Sequence, residues 1–304
     1  MNIEYLRNFI KLTKYKSFSK LAEELEISQS TLSHQISNIE KDFAGVVLIE
    51  RTTKSFELTK PGKLLLNHAK QIVNIYDECK TEVSQLKEDY VEDIIISAST
   101  LPGSHILPKY LTGFRNKNPN VNFKIVISNS KKSLENLNKG LADFAGVGSF
   151  IGYNENDFDY ITIGEDKLKF ICSPNHQLVK GRVGAVDFKN LIKFPFVWRE
   201  KGSGMRNTFK KQFPHYKKLK IELEINNNDS IISTVSESNY ISIMSEIIAD
   251  KAEAAGLIKS LKINEYPLIA ERSIYFVKLK DTKLSSLKKK FWTELKPTES
   301  IKKK

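Results

Sequence analysis

The sequence predicts an α/β protein in two parts. A helical N-terminal segment is followed by a short hairpin and a long helix, and strands then alternate with helices over the larger remainder. Three observations carry this. Residues 3–43 repeat apolar side chains at helical spacing, residues 60–87 step by four and three, and from residue 94 short β-rich runs alternate with amphipathic segments. A chain of 304 residues, 40% hydrophobic and 28% charged, has the length for two or three units and the composition to bury a core in each.

The first helix spans residues 3–12, with Ile3, Tyr5, Leu6, Phe9 and Ile10 as its apolar stripe. A second begins near Ser17 and buries Leu21, Ala22 and Leu25. The chain turns after Glu26, and Ser28 stands where an N-cap hydroxyl is wanted. The third helix, residues 29–43, buries Leu32, Ile36 and Ile39. That spacing turns Gln29, Ser30, Thr31, Ser33, His34, Gln35 and Ser37 outward. A solvated helix face usually carries Glu, Lys and Ala, whereas this one offers hydroxyls and amides with almost no charge. Such groups suit base edges in the major groove and, with Ser28 at the helix start, phosphates. The small Ala22 permits the close two-helix crossing of a helix-turn-helix, placed at residues 18–37.

Residues 46–59 form two β-rich halves around a polar tip, Thr52-Thr53-Lys54-Ser55, and read as a hairpin. After a recognition helix, a hairpin is a wing. Residues 1–59 are therefore expected to be a winged helix-turn-helix that binds double-stranded DNA, with Arg51 and Lys54 on phosphate or in the minor groove. An ion pair within its own domain is the other reading of Arg51.

Several runs carry a family resemblance. They are Phe18-Ser19-Lys20-Leu21-Ala22-Glu23-Glu24-Leu25, Ile27 to Ile36 by way of Ser28-Gln29-Ser30-Thr31-Leu32, and Ile39-Glu40. Leu48, Arg51 and Leu58-Thr59-x-x-Gly62 at the wing's end complete them. The pattern resembles the LysR-type transcriptional regulators, and the chain length fits that family end to end. Ile49 and Ile39 depart from the usual Phe and Leu, apolar for apolar in each case.

Residues 60–88 continue as a linker helix that Thr59 caps, with Pro61 tolerated in its first turn. Leu65, Ala69, Ile72, Tyr76, Cys79, Val83 and Leu86 form a heptad seam, the mark of a helix lying lengthwise on another. A single amphipathic helix docked on its own domain has the same spacing. The resemblance implies dimerisation here with antiparallel partners, giving a homodimer or homotetramer.

After an acidic hinge at Glu88-Asp89 come strands near 94–97, 121–127 and 144–147, with helices near 107–114 and 134–137 between them. A second set has strands near 169–172, 196–198 and 221–225, helices near 205–213 and from 229, a return strand at 273–277 and a last helix near 284–295. Two such halves form a cleft, and open parallel sheets bind ligands off the carboxyl ends of their strands. The resemblance implies a domain similar to periplasmic binding proteins over residues 91–304, with subdomains at 91–165 plus 267–304 and at 166–266. Effector candidates are polar residues just past strand ends: Ser99, Thr100, Asn129, Ser130, Ser149 and Ser203.

The run Trp198-Arg199-Glu200-x-Gly202-Ser203-Gly204-Met205-Arg206 resembles the sulfur and cysteine-metabolism regulators of that family, which usually carry Thr at the place of Met205. Arg206 joins the candidates because arginine is scarce, 7 against 41 lysines. Asn239 stands where the family has a Gly-x-Gly turn and is expected to be left-handed.

The net charge of +12 lies wholly beyond residue 90, since residues 1–90 hold 13 basic and 13 acidic side chains. It therefore says little about DNA and mildly favours an anion or carboxylate metabolite as effector. Two cysteines give no disulfide framework, and no run is long and apolar enough for a membrane span, so a cytoplasmic protein is expected. The five histidines have no metal-ligand spacing, and neither a P-loop nor a nucleophile elbow is present. No cofactor, metal or catalytic residue is expected. The function implied is regulation of transcription, with contact to RNA polymerase among its outcomes.

Overall fold

The computed structural model describes residues 1–51, 56–85, 90–180 and 184–296. It divides into two compact units, residues 1–90 with 282–285, and residues 91–281 with 286–304.

In the first unit α1 (Ile3–Tyr15), α2 (Phe18–Glu24) and α3 (Gln29–Asp42) surround a core of Leu6, Phe9, Leu21, Leu32, Ile36 and Ile39. Side chains cap all three helices: Asn2 accepts from Glu4 N–H, Ser17 from Lys20 N–H and Ser28 from Thr31 N–H. The turn between α2 and α3 passes through Glu26 at φ +55°, and Ile27 N–H returns to the Ala22 carbonyl. Strands β1 (Ile49–Arg51) and β2 (Phe56–Leu58) pair antiparallel, Arg51 opposite Phe56. The expected wing tip, with Lys54, and the Arg51 side chain lie outside the described residues. Helix α4 (Lys60–Gln85) follows, with Thr59 Oγ1 accepting from Gly62 N–H at 3.0 Å and donating to the Val47 carbonyl at 2.8 Å. The Glu88-Asp89 hinge lies outside the described residues.

The second unit opens with β3 (Glu92–Ser99), a buried π-helical turn at Pro102–Ile106 and α5 (Leu107–Lys117). There follow β4 (Val121–Ser128), α6 (Ser130–Asn138), β5 (Phe144–Val147) and β6 (Phe158–Cys172). Next come α7 (Phe188–Leu191), β7 (Pro195–Arg199), α8 (Gly204–Gln212) and β8 (Lys220–Ile225), then α9 (Asn228–Ser236), β9 (Ser242–Ser245), α10 (Glu246–Ala254) and β10 (Lys259–Leu261). Strand β11 (Glu271–Leu279) and α11 (Ser286–Glu294) complete it.

Strands β4, β3 and β5 are parallel, and β11 runs antiparallel between β5 and β6. The far end of β6 pairs with β9 and β10, while β7 and β8 form a separate parallel pair. Strand β6 therefore passes through both halves, and its Asp166 lies opposite Arg272 of β11. Each half has an aromatic core. Phe114, Phe144, Phe276, Phe291 and Trp292 fill the first, and Phe170, Phe196, Trp198, Phe209 and Phe213 the second. Burying each such ring contributes roughly 1.5–3 kcal/mol. None of the described helices is long and apolar enough to cross a membrane.

Two local expectations change. The region near 169–172 is the end of a strand begun at Phe158, and Asn239 is absent from the residues with positive φ. The turn at Asn239 is held instead by hydrogen bonds: Tyr240 N–H donates to Ser238 Oγ at 3.2 Å, and the Asn239 carbonyl lies 3.2 Å from His176 Nε2.

Candidate DNA-reading surface and effector cleft

Along α3 the side chains Ser28, Gln29, Ser30, Thr31 and His34 are exposed, whereas Ser33, Gln35 and Ser37 are half-buried. Ser28 Oγ accepts from Thr31 N–H at 3.0 Å and lies 2.7 Å from the hydroxyls of both Ser30 and Thr31, so the helix start is an ordered cluster of three hydroxyls. Gln29 takes a bond from Ser19 Oγ at 3.1 Å, and Asn38 Nδ2 lies 3.2 Å from His34 Nδ1. Gln35 is partly covered by α1, and Asn8 Nδ2 donates to its Oε1 at 2.8 Å. Its amide carbonyl serves the packing of α1 on α3.

Helix α4 is divided between two tasks. Leu65, Ala69 and Val73 are buried in the first unit's core and Ile72 packs against it, while Tyr76 is half-exposed and Cys79 and Val83 are exposed. Leu86 lies outside the described residues. The expected seam is thus consumed by its own domain at one end. The exposed apolar stripe includes two residues outside the heptad reading, Leu64 at 62% and Ile75 at 58% exposure. Arg7 fixes α1 to α4 through a bidentate pair with Asp77, Nη1 to Oδ2 at 2.8 Å and Nη2 to Oδ1, and also bonds Glu4. These carboxylates raise the pKa of Arg7 against the opposing effect of burial, Asp77 having the largest part.

In the second unit a small cavity, about 20 Å3, opens where helix starts from both halves meet. Ser99 and Thr100 line it at the end of β3, Asn129 and Ser130 at the start of α6, and Ser203 and Gly204 at the start of α8. Asn228 begins α9, and Ser245 precedes α10. Caps orient these termini: Asn129 accepts from Lys132 N–H at 2.9 Å and Ser203 from Arg206 N–H at 3.4 Å. The halves touch directly, Lys131 N–H donating to the Gly202 carbonyl at 3.3 Å.

Two arginines complete the lining. Buried Arg199 donates Nε to Glu200 at 2.8 Å and Nη1 to Asn228 Oδ1. Arg272, its side chain 9% exposed, donates Nε and Nη2 to Asp166 Oδ2 at 2.9 and 2.8 Å, and Asp166 Oδ1 accepts from Ser245 Oγ at 2.7 Å. Burial lowers the pKa of Arg272, and Asp166 opposes that shift. A guanidinium held dry beside several helix N-termini favours a negative guest.

The cavity collects Ser99, Thr100, Asn129, Ser130 and Ser203 of the sequence candidates. Ser149 and Arg206 are elsewhere. Ser149 accepts from Asn207 Nδ2 at 2.8 Å beside a larger cavity of about 650 Å3. Arg206 packs over Trp198 and donates to the Arg199 carbonyl and Glu224, each at 2.6 Å, because the first turn of α8 points its side chain toward β7 and β8. The larger cavity mixes Glu155, Glu165 and Glu271 with Lys167 and Lys211, all exposed, and shares Arg272 with the small one, with buried Asp166 beside it. Sequence reading missed Arg199, Asn228, Ser245 and Arg272. The scarcity of arginine pointed toward Arg199, but nothing local marked Arg272, one residue outside the expected strand.

A capped helix-turn-helix with an uncharged outward face and a bilobed α/β domain with a polar cleft define a ligand-responsive DNA-binding transcriptional regulator. Residues 3–63 match the bacterial regulatory helix-turn-helix proteins of the lysR family, and residues 90–299 match the LysR substrate binding domain. The chain belongs to the LysR family. It is 36% identical over 294 residues to the HTH-type transcriptional regulator MJ0300 of Methanocaldococcus jannaschii, covering 95% of this chain and 97% of that one. It is 30% identical over 270 residues to the HTH-type transcriptional regulator CysL of Bacillus subtilis, 88% of each. Full-length OxyR from Pseudomonas aeruginosa shares the fold at a TM-score of 0.60 and 16% identity, covering 97% of this chain and 93% of that one.

Proposed function

We propose that the chain works in the cytoplasm as a homodimer or homotetramer that reads a partly palindromic double-stranded DNA site through α3. A small anion or carboxylate in the cleft then alters the spacing of the DNA-binding units and their contact with RNA polymerase. Its working parts are residues 1–59 for DNA, 60–88 for pairing and 91–304 for the effector. Ser28, Gln29, Ser30, Thr31 and His34 read the groove, with Ser33, Ser37, Arg51 and Lys54 in support. The effector residues are Ser99, Thr100, Asn129, Ser130 and Ser203, together with Arg199 and Arg272. The chain carries no catalytic step in this reading. The observation that supports it is the exposed, uncharged start of α3 with its ordered hydroxyls.

The test is a mobility-shift titration on the chain's own upstream DNA at moderate salt, against a scrambled duplex. The intact chain is expected to prefer its own site, and Thr31→Ala to lose discrimination worth about 1–3 kcal/mol at one base position. Equal affinity for scrambled DNA with a steep salt slope would make it an architectural protein and overturn the reading. Anions that leave both the shift and the footprint unchanged would remove the effector role.

A further inference from the structure

On the reading of α3 as the DNA-recognition helix, we infer that Gln29 and His34 present hydrogen-bond donors alone. At the base positions these residues meet, α3 then selects keto bases, guanine or thymine, and rejects adenine and cytosine. The first observation is how their acceptor atoms are used. Ser19 Oγ, on α2, donates to Gln29 Oε1 at 3.1 Å, and Asn38 Nδ2 lies 3.2 Å from His34 Nδ1. Gln35 repeats the pattern on the flank beside α1, its Oε1 accepting from Asn8 Nδ2 at 2.8 Å. Each of the three thus takes a bond from its own protein on its acceptor atom.

What remains outward follows from the chemistry of the groups. An amide nitrogen only donates, so His34 Nδ1 accepts from Asn38, and an imidazole that accepts at Nδ1 carries its proton on Nε2. In Gln29 oxygen and nitrogen stand on separate arms of a planar amide; Ser19 draws the oxygen back to α2, and the two N–H groups lead. Gln29 and His34 are exposed, and neither Nε2 has a partner among the described residues. The hydroxyls of Ser28, Ser30 and Thr31 both donate and accept, so they do not set a polarity.

The major groove decides what such a face can read. Guanine O6 and thymine O4 accept, whereas adenine N6 and cytosine N4 donate from the same places. A donor facing a keto oxygen makes a bond; facing an amino group, it leaves two donors opposed and both unpaired. A free glutamine favours adenine, accepting from N6 with its oxygen and donating to N7 with its nitrogen. Held by Ser19, Gln29 loses the first of these bonds. Ser19 is therefore a positioning residue, which sets base choice through Gln29.

Selection of sites from a randomised duplex pool by the full chain, followed by titration of single-base variants, tests this. Gln29→Ala and His34→Ala each mark the base position that the residue reads, as the position where discrimination disappears. At both, the parent should bind guanine or thymine at least about fivefold tighter than adenine or cytosine. Inosine for guanine, or deoxyuridine for thymine, keeps the keto oxygen and should leave affinity within about twofold. Gln29→Glu, which replaces the donor by an acceptor, should invert the choice toward cytosine. Ser19→Ala frees the amide to turn and should raise adenine about threefold or more relative to the keto bases at the Gln29 position alone. Base preference is a ratio between duplexes on one protein, so partial unfolding of a variant does not move it. A parent that prefers adenine or cytosine at either position, or a Gln29→Glu variant that keeps the parent's choice, would overturn the donor polarity. An unchanged preference in Ser19→Ala would overturn the role of Ser19. If neither alanine variant moves any position while the pool still yields a site, the inference falls and recognition by α3 stands on its other residues. A pool that yields no site would overturn the recognition reading itself.

Discussion

Gly62 is the point on which the DNA-binding unit closes. A Cβ there would lie 2.0 Å from the Leu48 carbonyl oxygen, a backbone atom that strand β1 and Thr59 hold in place. Gly62→Ala should therefore shift the wing or the start of α4 and cost about 1–3 kcal/mol, as overpacking does. Urea unfolding of the chain checks this, and a midpoint within error of the parent would contradict it. Gly62 entered only through the family resemblance, and its close approach to Leu48 shows only in the fold, whereas Thr59 was legible as a cap because its reason is local. Arg272 was illegible for the opposite reason. Its meaning comes from Asp166 across the strand pair and Ser245 beyond, and no nearby residue announces either.

At the scale of elements, α4 separates spacing from partner. Its four-and-three repeat reads as a helix that packs lengthwise, but periodicity cannot say what it packs on. In the structure Leu65 and Ala69 meet the core of their own unit, Tyr76 is half-exposed, and Leu64, Ile75, Cys79 and Val83 remain exposed. The two faces should respond differently to substitution. Leu65→Ala is expected to destabilise the unit by roughly 2–5 kcal/mol, since it empties a buried site. Ile75→Asp should leave folding intact and weaken self-association at least tenfold, by placing a charge where a second helix would lie. Sedimentation equilibrium over a dilution series measures the second effect. An unchanged assembly would move the pairing surface off this stripe. Strand β6 shows the same limit: its polar Gly164-Glu165-Asp166 stretch breaks the apolar pattern, and only pairing with β11, β9 and β10 reveals one strand from Phe158 to Cys172.

At the scale of the whole molecule, the halves of the effector domain are joined by groups that titrate. His105, on the π-helical turn of the first half, has Nδ1 3.2 Å from Lys251 Nζ on α10 of the second. Burial and then Lys251 lower its pKa from the ordinary 6.5, with Asp229 opposing. Burial likewise lowers His176, against its bond to the Asn239 carbonyl. The folded chain therefore holds fewer protons on these rings than the unfolded chain in the acidic range. The stability that follows from this difference is complete above about 6.5 and is lost as pH falls through the lower, folded values. Protonating His105 also sets two cations face to face across the halves, so acid should loosen the cleft before the cores melt. The expected outcome is a urea midpoint that falls between pH 7 and pH 5 in the parent, with a shallower fall in His105→Asn and His176→Asn. A parent whose midpoint stays level, or rises, over that range would contradict it.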